Sequence, residues 1–187
     1  MQTTKVIPDR GEAMDSYEIY RQANELVHRC GSRDAHKIAD MLGIKIIYRS
    51  DFKNLLGMYT YLWKHRMIFL NDRLDYYLEQ MVIAHEIGHD QRHRELAAKS
   101  GLQEFSLFRM NNSSIEYEAN AFAAHLLLDS DEVCNYARQN YDVVQTSAAM
   151  NSDINLMLIK LREMMKLGYD LSVPFEPDSK FFGRIKK

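Results

Sequence analysis

At 187 residues the chain has the length of one ordinary domain, and with 46% hydrophobic residues it can bury a sizeable core without external staples. Lys and Arg number 24 against 26 Asp and Glu, a net charge of −2, which argues against a broad basic surface for nucleic-acid backbones. Two cysteines, Cys30 and Cys134, are too few for a disulfide framework and read as small buried apolar residues in a reducing compartment.

Residues 1–13 show little periodicity and read as a leader ahead of a second start at Met14; "MQTTKVIPDR" lacks the apolar centre of a secretion signal. No apolar run approaches the ~20 residues that a bilayer requires, so a cytoplasmic protein is expected. From "SYEIYRQANELVHRC", Tyr17, Tyr20, Ala23, Leu26 and Val27 recur at helical spacing. "SRDAHKIADMLGI" predicts a short helix with Ser32 as its cap and Gly43 as its stop. "IKIIY" reads as a strand, and residues 55–72 as two strands joined by a turn around Lys64–His65.

Helical periodicity resumes near Leu74, runs through "VIAHEIGHDQRH" and is expected to stop at Gly101. Residues 99–113 read as a loop. "SIEYEANAFAAHLLL" is a helix with Ile115, Ala119, Phe122 and Leu126 along one stripe. A further helix begins at Asp129 or Ser130, and "INLMLIKLREMMKLG" gives another, closed by Gly168, before an extended tail. "HKIADMLGI" resembles the first half of a helix-turn-helix, but "KIIYRSD" follows it where a recognition helix would have to stand, so direct DNA binding is not expected.

His85-Glu86-Ile87-Gly88-His89 fits H-E-x-x-H. On a helix, residues four apart share a face, so both imidazoles can bind one metal ion with Glu86 beside them. Such an ion lowers the pKa of a bound water from ~15.7 toward ~7. Glu86 can then take the water's proton and later pass it to a leaving amine, the division of labour that peptide hydrolysis needs. Gly88 allows a neighbouring backbone to come close, and the apolar residues around the motif bury it, unlike a solvated helix face.

Catalytic zinc usually has three protein ligands, so one is still wanting. His93 lies two turns from His85, ~11 Å along the axis, and reads as an exposed basic residue near the helix end. Glu116 is the better choice, with Asn120 four residues later placed to brace a histidine. Glu118 is the rival carboxylate, pointing about 160° away on the same helix. Ser113 and Glu116 also spell a capping box, which would occupy Glu116 and leave the ligand role to Glu118.

"AHEIGH" followed by "E-x-E-A-N-x-F-A-A-x-L-L" resembles the ImmA/IrrE family of bacterial and phage zinc peptidases, over about residues 16–130. The resemblance implies a zincin-like α+β fold, a small sheet packed on the metal helix, with residues 14–130 as the peptidase domain and 131–187 as a helical extension and tail. It implies His85, His89 and Glu116 as ligands of one Zn2+ and Glu86 as general acid/base, acting on a DNA-binding repressor protein. Manganese and iron also accept such ligands. The chain departs from the family at "LLLDSDE", where a proline commonly follows the leucines. The competing reading is a non-catalytic regulator that binds such a partner and keeps the metal as a structural element.

Overall fold

The computed structural model describes residues 10–96, 102–104 and 114–171, with side chains for 15–96 and 114–171. At its centre is the helix that carries the H-E-x-x-H motif. Every residue from Gln80 to Asp90 is buried, and a helix enclosed on all sides belongs inside a core rather than on its surface. A sheet covers one side of it and helices cover the rest.

In chain order the elements are α1 (Arg10–Cys30), α2 (Ala35–Met41), β1 (Lys45–Arg49), β2 (Gly57–Leu62), β3 (His65–Asn71) and the central α3 (Tyr76–Arg92). After these come β4 (Leu102–Glu104), α4 (Ser114–Leu127), α5 (Ser130–Arg138), α6 (Val143–Ala149) and α7 (Ile154–Lys166). The sheet runs β1-β3-β2-β4, with β1 parallel to β3 and the other neighbours antiparallel. This is the α+β architecture expected of a small zincin-like domain.

Local chemistry explains most boundaries. Asp34 caps α2 by accepting from the Lys37 N–H, while Ser32, the expected cap, accepts from the Asp34 N–H one turn earlier. Gly43 ends that helix at φ +68°, a conformation glycine adopts without a side-chain penalty. The β2–β3 turn is Trp63–Lys64, both at positive φ, so the expected turn is shifted by one residue and His65 opens β3. Asn71 closes the loop before β2, donating from Nδ2 to the carbonyls of Phe52 (3.2 Å) and Leu55 (2.9 Å).

α1 starts at Arg10, inside the stretch expected to be a leader; residues 1–9 lie outside the described part. Its buried stripe includes Ile19, Ala23 and Leu26, whereas Tyr17 faces solvent. α3 breaks at its C-cap His93, and residues 94–96 are helical again; Gly101, the expected stop, lies outside the described residues, as do Ser113 and the tail from 172. β4 stands within the expected loop. Three residues are too few to show a period, and pairing with Gly57–Tyr59 of β2 defines the strand. α6 was not anticipated either; its Asp142–Gln145 capping box is the signal that marks it. Both cysteines are free and half-buried rather than buried.

Where the proline would stand after the leucines, Asp129 builds the turn. Its Oδ1 accepts from the Asp131 and Glu132 N–H groups at the start of α5, and its Oδ2 accepts from Arg33 at 2.7 Å. The same guanidinium donates to the His125 and Leu126 carbonyls, capping the end of α4. α4 buries Ala119 through Leu126, and α7 adds Leu156, Met157, Ile159 and Leu161 to the same core. Among the described residues no helix is long and apolar enough to cross a membrane.

Candidate metal centre

α3 and α4 cross at Gly88. A Cβ there would stand 3.0 Å from the Cα and O of Ala119 and 3.3 Å from Phe122 Cβ, so a side chain would press on Ala119 and the glycine eases the close approach of the two backbones. The close crossing sets Glu116, one turn into α4, over the two histidines of α3. His85 Nε2 and His89 Nε2 are 3.0 Å apart, and Glu116 Oε2 lies 3.4 and 3.6 Å from them. One ligand atom from each of the three residues falls within 4.8 Å of the others, a group able to hold a metal ion. Glu118, the rival carboxylate, faces elsewhere and accepts from Arg92 Nε at 2.7 Å.

The donor set suits a divalent cation. Burial pushes His89 down to about 4, against the opposing pull of Glu116, so the imidazole is neutral at physiological pH. Burial alone would raise the Glu116 carboxyl, but its contacts with His85 and His89 outweigh it and hold the group well below the usual carboxylate range. A neutral imidazole and an ionised carboxylate are the forms that bind metal. His85 Nδ1 is 2.8 Å from Asn120 Oδ1, the bracing contact expected from the spacing of Glu116 and Asn120; with the proton on Nδ1, Nε2 is left as a donor atom.

Glu86 is fully buried and lies against β2. A Cβ on Gly57 would come within 2.5 Å of Val82 Cγ1 and 2.9 Å of Glu86 Oε1, so the strand passes directly over the carboxylate. His85 is fully buried and His89 nearly so; Glu116, about a quarter exposed, is where the cluster reaches the surface. The importance of Gly57 was not read from the sequence. A glycine opening a strand is the one available signal, since it often marks a close backbone approach.

His93 differs from expectation. It is 8% exposed, not a surface residue, and its Nδ1 lies 3.2 Å from His89 Nδ1. Four residues after His89, the ring shares that histidine's face; its burial comes with a partner distant in sequence, Glu118 of α4, whose Oε2 lies 3.4 Å from His93 Nε2.

Tyr59, Tyr61, Tyr117 and His125 carry groups that could donate to an oxyanion, and three of them are engaged elsewhere. Tyr59 donates to buried Asp90 (2.6 Å), Tyr117 donates to Glu163 (2.5 Å), and His125 Nδ1 pairs with Lys160 Nζ (3.1 Å). The ring of Tyr61 packs under the Arg94 guanidinium. The edges of the hairpin are largely taken up by other strands. β3 is paired on both sides, and β4 covers β2 from Gly57 to Tyr59.

The sequence model of the Peptidase_M78 family, described as the IrrE N-terminal-like domain, matches residues 39–166. The stretch takes in the sheet, the metal helix, Glu116 and all of α7. The chain is also similar to a Bacillus phage phi105 protein described as "Uncharacterized immunity region protein 2". The two are 26% identical over 142 residues, covering 76% of this chain and 87% of that one.

Proposed function

The chain belongs to the Peptidase_M78, IrrE N-terminal-like family, and on that premise we propose that it is a zinc-dependent endopeptidase that cleaves a regulatory protein, a DNA-binding repressor. The observation that carries the reading is the convergence of His85 Nε2, His89 Nε2 and Glu116 Oε2, with Glu86 adjacent in the motif. Two imidazoles and a carboxylate are a ligand set typical of catalytic zinc, and one that leaves a position open.

His85, His89 and Glu116 would hold the ion, and Asn120 would keep His85 in the tautomer that binds it. A bound zinc supplies Lewis-acid polarisation of the scissile carbonyl and acidifies water. Glu86 accepts the proton of the attacking water on its carboxylate and returns it to the departing amine nitrogen. Its burial beneath β2 removes competing solvent, which strengthens charge–dipole interactions at that carboxylate. The substrate carbonyl approaches from the Glu116 side, where the cluster meets the surface. The immunity-region description of the phage relative supports a regulatory protein as substrate.

The test pairs the purified chain with the DNA-binding regulator encoded beside its gene, in zinc and in chelator. Cleavage is expected with zinc alone. Glu86→Gln should keep the metal, measured by elemental analysis, and lose cleavage. An intact regulator in the zinc-loaded reaction removes it as the substrate, and unaltered cleavage by Glu86→Gln overturns the mechanism.

A further inference from the structure

We propose that His93 is a positioning residue for His89, held in one tautomer by Glu118, and that the grip on the metal depends on this pair. The inference rests on the metal-site reading above and concerns how one ligand is aimed.

The ring of His93 lies against that of His89, their Nδ1 atoms 3.2 Å apart. Two imidazole nitrogens at that distance need one proton between them. The far side of His93 shows which ring carries it. His93 Nε2 lies 3.4 Å from Glu118 Oε2, the same oxygen that accepts from Arg92 Nε at 2.7 Å. A carboxylate oxygen only accepts, so it draws the His93 proton to Nε2 and leaves the Nδ1 lone pair facing His89. His89 then donates from Nδ1, and its own lone pair sits on Nε2, the atom beside His85 Nε2 and Glu116 Oε2.

His85 reaches the same state by a shorter route, from Nδ1 to Asn120. Both routes end on α4, and the same helix provides Glu116. Glu116, Glu118 and Asn120, spaced by two, thus divide three tasks: one ligand, one orienting group for His89 through His93, and one for His85 directly. Arg92 fixes the middle of this set, since it also bonds Gln22 (3.3 Å) and Asp15 (2.7 Å) of α1. Groups that orient metal ligands in this way typically matter by roughly 10–100-fold in metal affinity.

The test uses the full chain loaded with zinc. In 15N-labelled protein, long-range proton–nitrogen spectra of the histidines should show His93 protonated at Nε2 and His89 at Nδ1. Competition with a chromophoric chelator should find zinc affinity reduced roughly 10–100-fold in His93→Phe. Most of that loss should return in His93→Gln, whose amide can accept from His89 and donate to Glu118. Glu118→Ala should also weaken binding. It decides the question with the wild-type spectra if His93→Phe does not fold, as judged by thermal unfolding of the zinc-free protein. A proton on His93 Nδ1, or wild-type affinity in both His93→Phe and Glu118→Ala, overturns the proposal. Wild-type affinity in the control His85→Ala overturns the metal site itself.

Discussion

Gly57→Ala is a direct test of how β2 is set against the metal helix. The added methyl would stand 2.5 Å from Val82 Cγ1 and 2.9 Å from Glu86 Oε1, whereas carbon atoms in ordinary contact keep about 3.5–4.0 Å. Relief therefore requires the strand and helix to part by about 1 Å. β2 cannot shift alone, because Gly57 is registered with Leu70 on one side and Glu104 on the other. Overpacking of this kind costs about 1–3 kcal/mol, which for a chain of this size is roughly 2–12 °C in Tm.

Denaturant titration of a double-mutant cycle with Val82→Ala isolates the cause. Val82→Ala removes Cγ1, so Gly57→Ala should cost less in that background than in wild type, the remainder being the contact with Glu86 Oε1. The coupling energy should be about 1–3 kcal/mol in the favourable sense. Zinc affinity should hold, because the nearest atoms belong to Val82 and Glu86, while cleavage falls about 100-fold as Glu86 is displaced. Strictly additive losses, or a Gly57→Ala variant that melts like wild type, would refute the argument.

Zinc at about one hundred times its dissociation constant should stabilise the protein by about 2.7 kcal/mol. That corresponds to roughly 5–11 °C in a thermal melt, and the rise should vanish in His85→Ala. Asn120→Ala should leave the fold melting close to wild type but weaken zinc binding roughly 10–100-fold in chelator competition. Lys160 gives a pH signature away from the metal. Burial pushes its ammonium down from 10.5 to about 7, so between those pH values the unfolded chain binds more protons than the folded one and stability climbs with pH. Denaturant titrations across that window should show a shallower climb in Lys160→Met than in wild type; identical slopes would place the charged lysine elsewhere.

Much of the site is local and therefore legible along the chain. Four-residue spacing puts His85 and His89 on one helix face and Glu116 and Asn120 on another, whatever surrounds them. Gly88 could be read as a point of close approach because a glycine inside a helix leaves room for a neighbouring backbone, and a Cβ there would be tight against Ala119. The turn residue before β3, the three-residue β4 and the buried ring of His93 escaped that reading. Each is defined by a partner distant in sequence or by the backbone angles of a single turn, and neither leaves a periodic trace.

By itself, then, the sequence determined which helices form and which donors share a face, because backbone hydrogen bonding and side-chain period act over a single turn. Only the tertiary structure decided that Glu116 meets the histidines while Glu118 turns to Arg92 and His93. Both carboxylates lie on one helix, two residues apart, and either could have faced inward. The choice follows from the angle and depth at which α4 seats against Gly88, a property of the packed interior rather than of any segment alone.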